Sequence, residues 1–441
     1  MSFSDRFKTR KAIVALSAGT HFAAQFTRTI VALITIPLLL KYLDKEIFGL
    51  WMIALSLVAL IGFAQGAVST AFINNFSNSK STQDVTDKLV SAFYINFMIS
   101  VVSLIFVFTL AFVIPWRNIY NIAAMNEVEV SQLIFVVLAA FAVSFICQLP
   151  KFFFIGNFQA PIGHIIEICA TILSGIAAIS AIYYRQPLWV IALFMTVIRQ
   201  ILCLIIGMAF IFKQFNLNWR YNKNSFNETR ELILRDGGLL LIIQCAFALG
   251  THTDLTLIGI FSNVSNAGDY AIVQKIFSLP IMLALFVNFA LWPAFARAKA
   301  DGDIDWIKRI FLRNIVILAV FSCLFSVIVG LNFDWILQVW LNQDLKISPW
   351  LIWGMMAWLI VVTPSKTVAT LIKSQGAFKT LATLAVFMVL INIPISIYLI
   401  KLIGEPGAVW GTVVSYILAY IIPYLFIVPG ILSRPKSTAT Y

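Results

Sequence analysis

Apolar runs of about twenty residues recur along the whole chain, separated by short polar stretches. A helix rising ~1.5 Å per residue needs about that many residues to cross a hydrocarbon layer ~30 Å thick. The pattern predicts about twelve spans, at 12–40, 47–73, 89–114, 130–150, 160–183, 187–212, 237–261, 268–295, 310–331, 349–372, 379–400 and 406–430. The fold class that follows is an all-α polytopic membrane protein.

The connecting segments are short, and the longest, Lys213 to Arg235, is basic and lies near the midpoint of the chain. It divides the chain into an N-terminal six-helix lobe at 1–213, a basic linker at 214–236 and a C-terminal six-helix lobe at 237–441. Punctuation residues recur between the halves at one fixed offset: Gly49 with Gly268, Asp84 with Asp303, Trp116 with Trp335 and Pro187 with Pro406. Such a recurrence predicts two parallel repeats related by an axis along the membrane normal, with the substrate site between them.

Composition sharpens this picture. Of 441 residues 61% are apolar and only 11% charged, far too few charges for a soluble surface of this size. The net charge of +12 would suggest a nucleic-acid partner in a soluble protein, but in a membrane protein it must first be divided by compartment. Arg6, Lys8, Arg10 and Lys11, the basic linker, and Arg297, Lys299, Lys308 and Arg309 all fall on one side of the predicted spans. By the positive-inside rule that side is cytoplasmic, so both termini are expected inside, and no nucleic-acid partner is implied. The first apolar run is too long for a signal-peptide core and is expected to be retained as a span. The five cysteines lie inside spans with neither CxxC spacing nor a histidine cluster, so they read as small packing residues without a metal or disulfide role. No Walker loop, HExxH or GxSxG motif is present, and no loop is large enough for an enzyme domain.

The candidate chemistry lies in the charges placed within spans, each of which costs at least ~2.5 to 3.5 kcal/mol unless it faces a cavity or a partner. His21, Gln25, Arg28, Ala32 and Thr35 share one face of the first span, either a cavity wall offering Arg28 to a phosphate or acidic sugar, or a structural seam. Arg199 shares a face with Thr196 and Cys203 in the sixth span, at a depth like that of Arg28. Lys366 lies in the inner part of the tenth span, where it lines a cavity or snorkels to the interface. Glu167, one turn beyond His164, reads as a proton-handling acid or as an acid hydrogen-bonded to a neighbouring helix. His252 adjoins Asp254 but points about 200° away on an ideal helix, which excludes a joint role. Asp254 and Lys275 lie at equal depth on consecutive spans and are expected to pair, leaving Lys275 otherwise as a further candidate ligand for an anion.

Several segments carry a family likeness. Pro37-Leu38-Leu39-Leu40-Lys41-Tyr42-Leu43 followed by Phe48-Gly49-Leu50-Trp51 resembles the first external turn of polysaccharide biosynthesis flippases, the O-antigen translocases of the multidrug/oligosaccharidyl-lipid/polysaccharide (MOP) exporter superfamily. Thr253-Asp254 with Gly268-Asp269-Tyr270, Trp292-Pro293-Ala294-Phe295 with Gly302-Asp303, Asn392-Ile393-Pro394-Ile395-Ser396, and Gly404 through Gly411 are similar to parts of their second half. Many relatives carry an acid at the end of the second span, where this chain has Phe63-Ala64-Gln65-Gly66, so a role for that acid does not carry over.

The resemblance implies a MATE-like pair of lobes in a bacterial inner membrane. By alternating access they would move an undecaprenyl-diphosphate-linked oligosaccharide from the cytoplasmic to the periplasmic leaflet, for O-antigen, lipopolysaccharide or another surface polysaccharide. Without an ATPase domain, energy is expected from an H⁺ or Na⁺ gradient, from substrate gradients or from both, with Asp254 and Glu167 as residues for ion coupling or structural pairing; no cofactor is expected, and membrane lipids and other polysaccharide assembly proteins are the expected partners. Two rival functions stand beside it. A cation-coupled multidrug exporter of the same superfamily would favour an acidic cavity, whereas the span charges here are mainly basic. A membrane glycosyltransferase or polymerase would need a sizeable external loop.

Overall fold

The structure is a computed structural model that describes residues 3–79, 81–214, 221–233, 244, 248–249, 252–343 and 345–433, with side chains from Leu16 onward except at 63, 64, 67 and 82. Every regular element among these residues is helical. The helices are α1 Phe3–Tyr42, α2 Lys45–Ser77, α3 Thr82–Val113, α4 Trp116–Ile119, α5 Glu127–Cys147, α6 Leu149–Gly156, α7 Ala160–Tyr183, α8 Leu188–Leu193, α9 Arg199–Gln214 and α10 Lys223–Leu232. They continue with α11 Asp254–Phe261, α12 Val264–Phe277, α13 Leu279–Ala300, α14 Ile304–Leu331, α15 Phe333–Leu341, α16 Pro349–Ser374, α17 Phe378–Ile403, α18 Pro406–Tyr416 and α19 Ile422–Leu432. Among the described residues, eleven helical segments are long and apolar enough to cross a membrane. The predicted span at 237–261 lies largely outside the described residues.

The polar punctuation between the runs is what starts the helices. Asn126 and Glu129 form a reciprocal capping box at the head of α5, at 2.9 and 3.0 Å. Ser81 and Asp303 cap α3 and α14 through the amides of Asp84 and Trp306. Proline, which lacks the amide that would be unsatisfied there, sits in the first turn of α6, α7, α13, α16, α18 and α19.

Backbone contacts divide the chain into two compact units, Met1–Ala248 and Leu249–Tyr441. In the first, α1 lies along α7, α5 packs on α2 and α3, α7 also meets α9, and α10 docks on α3. Its core is aromatic, built on Phe72, Phe76, Phe153 and Phe154 with Leu149, Ile166 and Ile211. The linker helix α10 belongs to this unit: Asn75 donates to Thr229 at 3.0 Å, Asn222 to Asp87 at 2.7 Å, and the Ser91 and Ser225 hydroxyls meet at 3.1 Å.

In the second unit α13 and α14 pack on α16, and α17 on α18. The helices α17 and α18 approach closely because Gly407 and Gly411 present no side chain. A Cβ at Gly411 would fall 2.4 Å from the Ser396 hydroxyl, and one at Gly407 would fall 2.2 Å from the Leu399 carbonyl carbon.

The helix α14 shows what surrounds the molecule. Its exposed stripe is Leu312, Val316, Val320, Leu324 and Ile328, while its buried face includes Asn314, Ser322 and Ser326. An apolar outside over a partly polar inside inverts the pattern of a water-soluble helix and fits lipid. The chain is a multi-pass membrane protein.

Candidate functional site

The charged side chains of the first unit converge on α7. Glu167 is 7% exposed, and its two carboxylate oxygens are held by different cations. Arg28 of α1 reaches Oε1 at 3.1 Å and Lys151 of α6 reaches Oε2 at 2.7 Å. Arg28 also donates to the Gln25 side chain one turn earlier on its own helix. One turn further along, the His21 ring meets the His164 ring edge to face, with centroids 5.0 Å apart. The three positions His21, Gln25 and Arg28 therefore form one face of α1, as their spacing predicts, and that face lies against α7.

Beside this cluster opens a recess of about 180 Å³, lined by Arg28, Val31 and Ala32 of α1, Trp51 and Leu55 of α2, Thr171, Ser174 and Gly175 of α7, and Met195, Thr196 and Arg199. Gly175 lets α1 close over this wall, since a Cβ there would fall 2.9 Å from Val31. Between α8 and α9 the helix passes through a single π turn, Phe194–Ile198, immediately before Arg199. Such turns change the direction in which the following side chains point and recur at functional sites. Here Thr196 and Arg199 both line the recess, and Cys203, one turn beyond Arg199, is buried in the aromatic core.

The lining holds two guanidinium groups and three hydroxyl-bearing residues but no carboxylate. Arg199 makes no ion pair or hydrogen bond among the described residues. Arg28 keeps a Nε that is buried without a partner, and its side chain is 34% exposed. The guanidinium of Arg199, together with that of Arg28, whose two terminal nitrogens are engaged by Glu167 and Gln25 while its Nε has no partner, gives the recess donors that suit an anion of phosphate geometry. The recess is below the ~300 to 1,000 Å³ of pockets that enclose whole drug-sized ligands.

Lys151 was not legible as part of the site. It follows Pro150 at the edge of an apolar run and reads as a cytoplasmic loop residue. The chain instead resumes helix at Leu149 after one non-helical residue, Gln148, and carries Lys151 inward to Glu167. A lysine directly after a proline that could start a new helical turn was the available signal. Of the two readings of Glu167, the structure shows the acid bonded to neighbouring helices rather than a pair with His164: its carboxylate is held by Arg28 and Lys151, and the ring of His164 meets His21.

The remaining candidates belong to the second unit. The expected Asp254–Lys275 pair does not form. Asp254, at the start of α11, accepts a hydrogen bond from the Tyr270 hydroxyl at 2.6 Å and from the Thr412 hydroxyl at 3.1 and 3.2 Å. Asn392 in turn donates to Thr412 at 3.0 Å. The two spans do lie side by side, but azimuth decides the contact. Tyr270 and Lys275 are five residues apart, about 140° around a helix, so the face that brings Tyr270 to Asp254 turns Lys275 away. Lys275 is half-buried on α12 with no ion pair among the described residues, and Lys366 is half-buried on α16, where its carbonyl accepts from Thr370. The second helix runs on past Phe63-Ala64-Gln65-Gly66 to Ser77 instead of ending there, and within it Gln65 donates to the Ser144 carbonyl at 2.9 Å, tying α2 to α5.

The comparisons specify which fold this all-helical membrane protein has. An inward-facing multidrug resistance MATE family transporter of the MOP superfamily superposes with a TM-score of 0.70 at 13% identity, over 91% of this chain and 98% of the other. A MOP superfamily transporter from Pyrococcus furiosus, whose binding pocket is described as reversed in polarity, gives 0.65 at 15% identity over 96% and 97%. The outward-facing form of a multidrug resistance MATE family transporter gives 0.65 at 15% identity, over 96% of each chain. The fold is therefore the MATE-like fold of MOP transporters. The chain itself belongs to the family described as polysaccharide biosynthesis protein, whose model matches residues 15–299. A search among curated proteins finds no match.

Proposed function

We propose that the protein is a flippase that moves a polyprenyl-diphosphate-linked oligosaccharide, of the undecaprenyl type, from the cytoplasmic to the periplasmic leaflet of a bacterial inner membrane. Alternating access would expose the site to each side in turn, and the product would feed O-antigen or another surface polysaccharide. The observation that carries this reading is the recess where Arg28 and Arg199 face a common space without any acid on the wall. A diphosphate is the part of such a lipid that must lose water to cross the bilayer, and paired guanidinium forks replace that water with directed charge-assisted hydrogen bonds. An organic cation, the substrate of the rival multidrug reading, would meet like charge there. The family membership supports a polysaccharide precursor as the cargo. Energy would come from an H⁺ or Na⁺ gradient, with the buried Asp254 carboxylate as the candidate coupling group.

The test is substitution at the two arginines in cells that depend on the protein for surface glycan. Arg28→Ala with Arg199→Ala should abolish export and leave the lipid-linked glycan at the cytoplasmic face. Arg28→Lys should retain part of the activity, because charge survives while the planar fork is lost. Normal export by the double alanine variant, at normal protein level, would overturn the proposal.

A further inference from the structure

Glu167 stands apart from the other buried groups of the first unit: it is the one acid in a cluster of cations that includes Arg28, Lys151 and Arg199, and each of its oxygens is taken by a different cation. Arg28 is shared. It holds Glu167 on one side and lines the recess on the other, where Arg199 makes no ion pair among the described residues. A carboxylate presenting two oxygens to a guanidinium and an ammonium reproduces the recognition that a phosphate would receive from the same groups.

We propose that Glu167 is a built-in stand-in for the substrate's phosphate. Resting on the reading of the recess as a diphosphate site, the inference assigns Glu167 the role of a competitor that occupies Arg28 in the empty protein and yields it when a diphosphate enters beside Arg199. The carboxylate then retains Lys151 at 2.7 Å, so neither the acid nor the lysine is left alone. The exchange lowers the uncompensated charge that the empty site must carry and weakens the grip on the product, which favours release on the far side.

The experiment is equilibrium binding of farnesyl diphosphate, with farnesol as control, to the purified full chain in detergent. Glu167→Gln is expected to tighten binding of the diphosphate at least tenfold. That result alone could reflect the added positive charge, so the deciding variant is Lys151→Gln with Glu167→Gln, which leaves the cluster at its original net charge with Arg28 freed of its competitor. It is expected to bind several-fold more tightly than the unmodified protein, and it also avoids an unpaired lysine that could impair folding. Binding by the double variant equal to or weaker than that of the unmodified protein would overturn the stand-in role. If the unmodified protein does not prefer the diphosphate to farnesol, and Arg28→Ala with Arg199→Ala changes nothing, the diphosphate site itself is wrong. If those controls behave and only the double variant fails to tighten, the site stands and the inference about Glu167 falls.

Discussion

At the level of single residues, burial of charge decides the chemistry. Asp254 illustrates the cost: its carboxylate is satisfied by two hydroxyls rather than by a cation. Tyr270→Phe should therefore lower stability by about 1 to 3 kcal/mol, the range for losing a hydrogen bond to a buried acid. Thermal unfolding in detergent measures it. Asp254→Asn and Lys275→Met should show additive effects with no rescue in the double variant, because the two side chains do not meet. A double variant more stable than the sum of its parts would restore the ion pair that the geometry excludes. Arg28, Gln25 and His21 were legible from their shared helical face, and Arg199 from its depth in a span. Their partners were not, because helical spacing gives the face of one helix and says nothing about which helix covers it. Lys151 was lost for a different reason: a hydropathy boundary placed it in a loop that the structure makes helical.

At the level of elements, close helix contact rests on missing side chains. Gly407 and Gly411 lie four residues apart on α18 against the backbone of α17. Gly411→Val should force the pair apart and lower the folded yield by an amount typical of overpacked cores, about 1 to 3 kcal/mol or more. Gly430→Ala, with nothing within 4 Å, should be neutral by comparison. Yield and monodispersity in detergent distinguish the two. The spans themselves were largely legible, since most are long apolar runs with a capping residue or proline at the head. Their interruptions were not. The bend at Ser278 divides the predicted 268–295 span into α12 and α13, and the π turn before Arg199 interrupts an otherwise regular apolar run; both are settled by packing rather than by hydropathy. Whether the linker moves with the first unit can be tested at the contact between Ser91 and Ser225. Replacing both with cysteine should give a disulfide on mild oxidation, whereas an undocked α10 would not cross-link.

At the level of the whole molecule, the account requires an orientation and a cargo. The positive-inside distribution predicts that α10 lies in the cytoplasm and the Trp116 to Glu129 segment outside. A cysteine at the exposed Ala124, chosen to spare the Asn126 cap, should react with an impermeant reagent from outside, and one at the exposed Asn224 should not. The reverse pattern would invert the direction of transport assigned to the site.

The central claim is that the cargo is recognised by its diphosphate. It is tested most directly in vesicles containing the purified protein and a fluorescent-glycan lipid, by following how much glycan becomes accessible to an impermeant glycosidase. The account predicts rapid equilibration of the diphosphate-linked lipid, little movement of the same glycan on an uncharged polyprenyl ether, and background rates for both with Arg28→Ala and Arg199→Ala. Equal movement of the two lipids, or transport of an organic cation with no movement of either, would contradict it.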